Sequence, residues 1–345
     1  MNISNDKLEK ACSNALEFIM KNRNPNSMWN DFITPAGESE DWPTGYIGYI
    51  LSNLQNRDDN LVNILKEIGN KLIKNQGLDG GWGYHYGVPP DTDSTANCLL
   101  FLENIGISSD EIINNGIRFL IKHQTPNGGF STYRNPRPIL RYINFPANSS
   151  CDGWCSEHLC VTPMALNAII KFNKNEFSEN VNNAYKIICE KQTVNGSWPA
   201  YWWTEDYYST YYCSKVLGYI NKEEYNQRIL KSCEWTSKNQ NTDGGWVNST
   251  VNISCPFYTA LAVKTLLIVP DRFEVNIQNG IKYLIKSQKD DRSWIGFPKM
   301  RIPHPKDIDP SQPQSECEDH NRLFTTATVL SALDEYIKVS QTHTF

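Results

Sequence analysis

Apolar residues recur along most of the chain with the spacing of an α-helix, and one kind of segment is apolar on a single face. In these segments apolar side chains stand at positions i, i+3 and i+4, and the remaining positions are mostly Lys, Asn and Glu. Such segments are typical of helices that pack on a core on one side and meet water on the other. The pattern predicts six outer helices: Leu8–Asn22, Leu61–Asn75, Ile112–His123, Val181–Lys191, Tyr225–Asn239 and Val275–Ser287.

A second kind of segment follows each outer one and is richer in Leu, Ala, Thr and aromatic residues on every side. A helix that is apolar all round is buried. The pattern therefore predicts six inner helices: Asp41–Leu54, Thr92–Glu103, His158–Phe172, Asp206–Ile220, Pro256–Ile268 and Arg322–Ile337.

A repeated phrase joins each outer segment to the inner segment that follows it, as in Gln76-Gly-Leu-Asp-Gly-Gly-Trp82. Further copies end at Phe130, Trp198, Trp246 and Trp294, and a degenerate copy ends at Trp29. Asp-Gly-Gly and Asn-Gly-Gly are typical of helix ends and turns, because Gly accepts a positive φ. Six outer–inner pairs predict an all-α fold, a single (α/α)6 barrel over residues 1–345, with no β-sheet beyond stray pairs.

Composition narrows the classes of function. The 345 residues carry a formal net charge of −5 without clusters of Lys and Arg, which argues against a nucleic-acid partner. The N-terminus has no apolar signal-peptide region and no run approaches a membrane span, so we expect a cytoplasmic protein without stable membrane insertion. The ten cysteines mostly stand inside helical patterns, which predicts buried thiols rather than a disulfide framework. The oligomeric state stays open.

The repeat also carries a family resemblance. The Gln-x-x-x-Gly-Gly-Trp phrase, with Gly80-Gly-Trp-Gly-Tyr84 and Pro90-Asp-Thr-Asp-Ser-Thr-Ala96, resembles the squalene–hopene cyclase and class II terpene cyclase superfamily. That superfamily shares its helical toroid with the β subunits of protein prenyltransferases, so the resemblance implies the same fold. It covers nearly the whole chain but corresponds to one of the two barrel domains of a triterpene cyclase. It predicts fold more strongly than reaction, because one barrel hosts several chemistries.

The sequence Asp91-Thr92-Asp93-Ser94 begins the second inner helix. Taken alone it is typical of helix capping, because Asp and Ser are favoured where backbone N–H groups are free. In the superfamily the motif is Asp-x-Asp-Asp, and its middle Asp is the general acid that protonates an alkene or epoxide. The resemblance implies that Asp93 is this acid and Asp91 its neighbour, with Ser94 as a departure whose hydroxyl can still hydrogen-bond the acid. A dry site and a second carboxylate would keep such an acid protonated near neutral pH.

The inner helices are expected to run in one direction, so that their N-termini open at one end of the barrel. Two long Pro-containing loops, residues 131–156 and 295–319, lead to this end and are candidate lids. Acids at helix starts are also ordinary capping residues, but capping does not account for the aromatic residues beside them. The candidate substrate-binding residues are Trp42, Asp41, Trp154, Glu157, His158, Trp202, Trp203, Glu205, Asp206, Tyr207, Tyr208, Phe257, Asp319, His320 and Phe324.

An acidic aromatic mouth suits two kinds of chemistry. Aromatic faces stabilise the carbocations of a protonation-initiated cyclisation or isomerisation, which needs no redox cofactor and would make the chain a class II terpene-cyclase-like enzyme. With carboxylates they also bind a guanidinium or amine cation, as a non-terpenoid cyclase or binder would. The surplus of carboxylates argues against a diphosphate-bearing substrate unless Mg²⁺ is bound. The mean hydropathy of −0.52 leads us to expect a substrate smaller and more polar than squalene.

A further alternative is a zinc-dependent, prenyltransferase-like protein. Cys155, His158 and Cys160 stand close together, and Cys317 and His320 precede another inner helix. Prenyltransferase β subunits hold a catalytic zinc with an Asp, a Cys and a His on this barrel. The spacing here is not a standard zinc pattern, and such an enzyme needs a helical α subunit, so the sequence favours no metal and no cofactor.

Overall fold

The computed structural model describes residues 4–107, 109–146, 148–173, 175–310 and 315–342, which are mostly helical. They contain α1 (Asn5–Lys21), α2 (Asp41–Ser52), α3 (Asp59–Lys74), α4 (Thr92–Ile105), α5 (Asp110–Lys122), α6 (Pro136–Tyr142), α7 (Thr162–Asn173), α8 (Ser178–Glu190), α9 (Tyr207–Leu217), α10 (Glu223–Lys238), α11 (Pro256–Leu266), α12 (Glu274–Ser287) and α13 (Leu323–Ser340). Three antiparallel ribbons pair β1 (Ile33–Thr34) with β2 (Gly37–Glu38), β3 (Val247–Asn248) with β4 (Ile253–Ser254), and β5 (Met300–Ile302) with β6 (Ser315–Cys317). The predicted all-α class is confirmed.

Twelve of these helices are the predicted outer and inner helices. The outer ones are α1, α3, α5, α8, α10 and α12, and the inner ones are α2, α4, α7, α9, α11 and α13. Burial separates the two sets: α3 buries one face, whereas every residue of α11 is buried. The largest shift in a helix start is at α7, which begins at Thr162 and not at His158, because residues 157 and 158 still pair with the extended segment 130–131.

The inner helices contact one another in a closed cycle. Helix α2 packs on α4, α4 on α7, α7 on α9, α9 on α11, α11 on α13, and α13 returns to α2. The outer helices lie against the inner ones, and α1 contacts both α12 and α13, so the first helix of the chain meets the last two. No helix in the described ranges is long and apolar enough to cross a membrane.

The repeated phrase works as a clamp between successive helix pairs. The Trp82 indole donates a hydrogen bond to the Leu72 carbonyl at 2.8 Å, near the end of α3, and its backbone N–H donates to Thr95 Oγ1 at 2.9 Å in α4. Gln76 Nε2 reaches the Ile112 carbonyl in the next outer helix at 3.0 Å. The other tryptophan copies repeat the indole bond to the preceding outer helix. Polar bonds and a buried ring therefore connect an outer helix with the inner helix and the outer helix that follow it.

Helix α6 was not predicted and lies within the loop 131–156. The Asn135 side chain caps it by accepting a hydrogen bond from the Arg137 N–H at 3.1 Å, and Pro136 occupies its first position. Its buried residues are Ile139 and Leu140. This short helix places apolar side chains over the end of the cycle where the inner helices begin.

Candidate active site

A cavity opens at the end of the cycle where the inner helices start, and we call it the upper cavity. It holds about 770 Å³ of empty space, its open mouth included. Six aromatic rings line it: Trp42, Tyr84, Tyr133, Trp154, Trp202 and Trp203. Among the described lining residues the ionisable carboxyls are Asp91 and Asp93, and none is Lys, Arg or Glu. The cavity is thus an apolar and aromatic space with two acids in its wall.

Asp91 caps helix α4, as its position in the sequence predicted. Its Oδ1 accepts a hydrogen bond from the Ser94 N–H at 2.8 Å, and its Oδ2 accepts one from the Ser94 hydroxyl at 2.7 Å. Both donors of Ser94 therefore bind Asp91. The Ser94 hydroxyl was expected to hydrogen-bond the general acid Asp93, and in the structure it donates to Asp91 instead. The capping role and the acidic pair coexist in the same four residues.

Asp93 stands one position inside α4 and faces the cavity. Its Oδ2 accepts a hydrogen bond from the Trp42 indole N–H at 2.8 Å. Its Oδ1 has no hydrogen-bond partner among the described residues. Asp93 remains half-buried because part of its surface faces the empty space. One carboxyl oxygen is thus held in place while the other stays uncommitted.

The two carboxyls differ in acidity because their surroundings differ. Burial, and after it the charge of the Asp91 carboxylate, raise the pKa of Asp93, and the Trp42 hydrogen bond opposes the rise. The resulting pKa of Asp93 is about 8. Burial also raises the pKa of Asp91, but the N–H and hydroxyl of Ser94 hold it to about 6. At neutral pH Asp93 therefore carries its proton while Asp91 is largely ionised, the separation that an acid and its stabilising neighbour need.

The predicted Trp42, Trp154, Trp202 and Trp203 all line the upper cavity. The Trp42 ring lies 5.8 Å from Tyr84 and 6.3 Å from Trp203, centroid to centroid. Trp154 and Trp202 lie 5.5 Å from each other, centroid to centroid, in the same lining. Four indole rings thus share the cavity wall with Asp93.

The other predicted aromatic residues lie behind this wall. Phe257 and Tyr208 stack on Trp203 at 5.1 Å and 4.5 Å, and Phe324 packs on Trp42 at 5.0 Å. Tyr207 packs against Tyr258 and Trp235, further from the cavity. These side chains support the lining rings and are absent from the described lining.

Three predicted acids hold loops. Glu157 interacts with Asn127 Nδ2 at 3.2 Å and Lys191 Nζ at 3.8 Å. Glu205 accepts a hydrogen bond from the Ser249 N–H at 2.7 Å. Asp206 accepts one from the Ala200 N–H at 3.0 Å and one from the Ser197 hydroxyl at 3.2 Å. The structure places all three outside the described lining of the upper cavity.

The acids Asp41 and Asp319 are buried away from the cavity. Asp41 Oδ1 accepts a hydrogen bond from Asn75 Nδ2 at 2.7 Å, and burial raises its pKa to about 7. Asp319 forms a fully buried ion pair with Lys299. The predicted His320 bonds through Nε2 to a carboxylate oxygen, Glu38 Oε1, at 3.0 Å near the surface. These contacts join loops to the helices and do not converge on Asp93.

His158 positions a lining residue instead of lining the cavity itself. Its Nε2–H donates to the Gly153 carbonyl at 2.9 Å, so its Nδ1 accepts from the Thr132 hydroxyl at 3.0 Å. That hydroxyl oxygen in turn accepts the Trp202 indole N–H at 2.8 Å. Burial lowers the pKa of His158 to about 3, so the ring is neutral near pH 7. A neutral ring that donates through Nε2 must accept through Nδ1, which fixes the donor and the acceptor in each of these bonds.

The zinc alternative does not fit these contacts. Both His158 nitrogens are engaged in hydrogen bonds, and Cys160 lines the upper cavity apart from them. Within the described ranges no group of three or more His, Cys, Asp and Glu side chains is arranged to hold a metal ion.

Both candidate lid loops contribute described residues to the lining, whereas their residues 147 and 311–314 lie outside the described residues. Residues 131–156 provide Thr132, Tyr133, Ile139, Ile143 and Trp154, and residues 295–319 provide Met300 and Ile302 on β5. The Trp154 indole donates to the Pro303 carbonyl at 2.9 Å, which ties the two loops together. Tyr84 was not predicted as a lining residue, although it ends the family motif Gly80-Gly-Trp-Gly-Tyr84. No motif in the sequence indicated Ile139, Ile143 or Met300.

A closed cycle of buried helices that opens on an aromatic cavity with an acid pair in its wall defines the class II terpene cyclase type of domain. Sequence comparison supports this assignment, because residues 61–302 match the family of the squalene-hopene cyclase C-terminal domain. The chain therefore belongs to that family.

Solved structures with the same fold include the type II terpene cyclase MstE from Scytonema. A variant of that enzyme in complex with geranylgeranyl dihydroxybenzoate has a TM-score of 0.87 and 27% sequence identity, covering 97% of this chain and 98% of that one. A protein from Actinoplanes has a TM-score of 0.86 and 26% identity, covering 96% of this chain and 99% of that one. The likeness extends over nearly the whole length of each pair.

Curated relatives are longer. The squalene-hopene cyclase of Schizosaccharomyces japonicus is 25% identical over 275 residues, which cover 70% of this chain and 40% of the relative. The drimenyl diphosphate synthase of Streptomyces showdoensis is 24% identical over 235 residues, which cover 66% of this chain and 40% of the relative. The chain thus spans about 40% of the length of these curated relatives.

Proposed function

We propose that this protein is a class II terpene cyclase that protonates a prenyl chain with Asp93 and cyclises it. The observation that carries the proposal is a carboxyl in the wall of an apolar aromatic cavity, held by one indole N–H and with its pKa raised to about 8 by burial. A carboxyl in water would be ionised at neutral pH and could not serve as the acid. Burial beside the Asp91 carboxylate supplies the protonated form.

In the first step Asp93 gives its proton to the terminal carbon–carbon double bond of the prenyl chain. The alkene π electrons form the new C–H bond, the carboxyl becomes a carboxylate, and a tertiary carbocation remains on the substrate. The Trp42 N–H, 2.8 Å from Oδ2, stabilises the carboxylate that forms. We assign the transferred proton to the uncommitted Oδ1, because the other oxygen is already held by the indole.

In the following steps neighbouring double bonds attack the cation and close rings, and loss of a proton ends the sequence. The aromatic faces of Trp42, Trp202 and Trp203 stabilise the positive charge as it moves, as they would any cation close to a ring face. The apolar lining keeps water from trapping the cation before ring closure. Reactant and cyclic product then have the same composition, so the reaction is an isomerisation that consumes no redox equivalents.

The lining favours a prenyl chain over the other substrates considered. A cationic substrate predicted several carboxylates in the cavity, but Glu157, Glu205 and Asp206 hold loops instead. A buried diphosphate would require basic residues, and none is present in the described lining. The relative MstE was solved with geranylgeranyl dihydroxybenzoate, a prenyl chain on a polar aromatic group, and we propose a substrate of this general kind. A prenyl chain with a polar head also agrees with the expectation of a substrate smaller and more polar than squalene.

We further infer that the closed cycle of inner helices, with its outer layer, is an (α/α)6 barrel forming one domain across residues 1–345. The contacts that close the cycle through α13 and α2 support this architecture. In this proposal the loops 131–156 and 295–319 act as lids, because both place side chains over the cavity.

The test is incubation of the purified protein with geranylgeranyl dihydroxybenzoate, geranylgeraniol and geranylgeranyl diphosphate, followed by mass spectrometry. We expect a product with the mass of its substrate and fewer double bonds. Asp93→Asn should abolish the product while the protein stays folded by circular dichroism. Product formation at the wild-type rate by Asp93→Asn would remove the assignment of the acid. Turnover of the diphosphate alone would contradict the proposed substrate class.

A further inference from the structure

A second cavity lies at the opposite end of the inner helices, and we call it the lower cavity. It is formed by the last turns of α2, α9, α11 and α13 and holds about 980 Å³ of empty space, its open mouth included. Between the two cavities Tyr46 stacks on Phe324 at 3.9 Å, and its hydroxyl bonds to Thr328 Oγ1 at 2.8 Å. This packed layer separates the lower cavity from Asp93, so the cyclisation chemistry does not account for its residues.

Three lysines, Lys215, Lys264 and Lys338, line the described lower cavity, and Lys264 is neutralised by its neighbours. Lys264 is almost fully buried and lies 3.1 Å from Glu335 Oε1. Its ammonium also donates to Ser331 Oγ at 2.6 Å and lies 4.7 Å from the centre of the Tyr211 ring. Lys264 and Glu335 together add no net charge to the cavity.

Lys215 has no carboxylate partner at such short range, and Glu335 acts on it only from further away. Its Nζ lies 5.5 Å and 5.8 Å from the ring centres of Tyr49 and Tyr211, and no described carboxylate oxygen lies within 4.0 Å of it. Lysine in the last turn of a helix complements the helix dipole, which explains the residue type. It does not explain an ammonium that lies near two tyrosine rings, half-buried in an open cavity, without a described carboxylate oxygen within 4.0 Å.

The Tyr49 hydroxyl lies in the same positive environment. Asn167 Nδ2 donates to it at 3.4 Å. Burial raises the pKa of the Tyr49 phenol, but the Lys215 and Lys171 ammoniums and the Asn167 amide act against burial and bring the pKa below its ordinary value. A site that stabilises the anionic form of a phenol also stabilises another oxygen anion placed beside it.

The remaining lining includes Lys338, several apolar residues and an acid that is hydrogen-bonded within the protein. Ile50, Leu267 and Ile268 line the space beside the polar groups. The nearby Asp334 accepts a hydrogen bond from the Gln55 N–H at 3.3 Å. A ligand for this space would therefore combine an anionic group with an apolar body.

We propose that the lower cavity binds a small amphipathic oxyanion, a carboxylate or phosphate on an apolar body, with Lys215 and Tyr49 holding the anionic group. The ammonium supplies charge-assisted hydrogen bonds, and the phenol supplies an O–H donor. The apolar part of the ligand lies against Ile50 and Leu267. The site is independent of the cyclase proposal, because no step of that reaction uses these residues.

The test is isothermal titration calorimetry with benzoate, phenyl phosphate and inorganic phosphate on the wild type, Lys215→Met and Lys186→Met. Lys186 is the control because its side chain is exposed on α8, 3.8 Å from Glu190, and is not part of the described cavity lining. We expect the wild type and Lys186→Met to bind benzoate or phenyl phosphate saturably, and Lys215→Met to bind more than about tenfold more weakly. Inorganic phosphate should bind more weakly than phenyl phosphate, because it has no apolar body.

A second variant keeps the test decisive if Lys215→Met does not fold. Tyr49→Phe removes only the hydroxyl and should weaken binding of the same probes severalfold. The proposal is overturned if no probe binds saturably to the wild type, or if both variants bind as the wild type does. Competition between benzoate and a prenyl ligand of the upper cavity would also overturn it, because the packed layer at Tyr46 separates the two spaces.

Discussion

Replacing Trp42 with Phe tests the acid assignment most directly. The indole N–H donates to Asp93 Oδ2 at 2.8 Å, and this bond favours the ionised carboxyl. Phenylalanine keeps an aromatic ring in the wall but removes the donor. The pKa of Asp93 should therefore rise above its value of about 8 in the wild type.

The size of the shift follows from the strength of the bond. A hydrogen bond to a charged group contributes about 1.5 to 3 kcal/mol, and one pKa unit corresponds to about 1.4 kcal/mol. The protonated carboxyl also accepts the indole N–H, though more weakly, so only part of that energy appears in the pKa. We expect the pKa of Asp93 to rise by about one unit in Trp42→Phe.

The assay is the pH dependence of kcat/KM, which reports the ionisation of the free enzyme. A general acid works only while protonated, so the wild-type rate should fall as the pH rises through about 8. In Trp42→Phe this fall should move to higher pH, and the maximal rate should drop because the acid is weaker. Trp203→Phe is the matched control, since Trp203 lines the same cavity and is not a described hydrogen-bond partner of Asp93.

Two outcomes would refute this reasoning. In the first, Trp42→Phe leaves the alkaline fall where it is or moves it to lower pH, so the indole does not control the acid. In the second, Trp203→Phe shifts the fall as far as Trp42→Phe does, so the effect is a general change of the cavity.

Three further predictions address stability and the acid pair. Ser94→Ala removes a donor to Asp91, so the pKa of Asp91 should rise and its negative charge at neutral pH should decrease. Because that charge raises the pKa of Asp93, the alkaline fall of kcat/KM should move to lower pH, and an unchanged profile would contradict this. Asp93→Asn should raise the melting temperature at pH 8 but barely at pH 4. The pKa of Asp93 is raised from 3.8 to about 8 in the folded protein, so the wild type loses stability as the pH rises between those two values, and Asn removes this loss. An equal change in melting temperature at pH 4 and pH 8 would contradict this prediction. Gly80→Ala should lower the free energy of unfolding by at least about 2 kcal/mol more than Gly87→Ala in urea denaturation. The two glycines have φ of +94° and +90°, but an added Cβ meets a carbonyl oxygen at 2.4 Å only at Gly80, and equal losses would contradict the steric cause.

The helices could be predicted because their signals are local. Apolar spacing within a segment such as 61–75 decides which face of a helix is buried, whatever the rest of the chain does. The repeated phrase ending at Trp82 then showed that six pairs use one packing rule. The capping and acidic roles of Asp91 and Asp93 also lay in adjacent residues, so spacing alone brought them together.

The lining of the cavity could be predicted only in part. Trp42 and Trp203 stand at or just before the starts of inner helices, so the parallel arrangement of those helices brought them to one end. Ile139 and Met300 come from long loops, whose paths depend on contacts such as the Trp154 bond to the Pro303 carbonyl. No pattern within the loops contains that information, because the partners are far apart in the chain.

The sequence by itself determined the helices, their order and the acid pair, because each rests on neighbouring residues. Only the tertiary structure decided which side chains at the mouth face the cavity. Glu205 and Asp206 stand near the same helix start as Trp203, yet their carboxylates turn to backbone N–H groups of adjoining loops. Their direction and the raised pKa of Asp93 depend on burial by distant segments, and burial is a property of the folded chain as a whole.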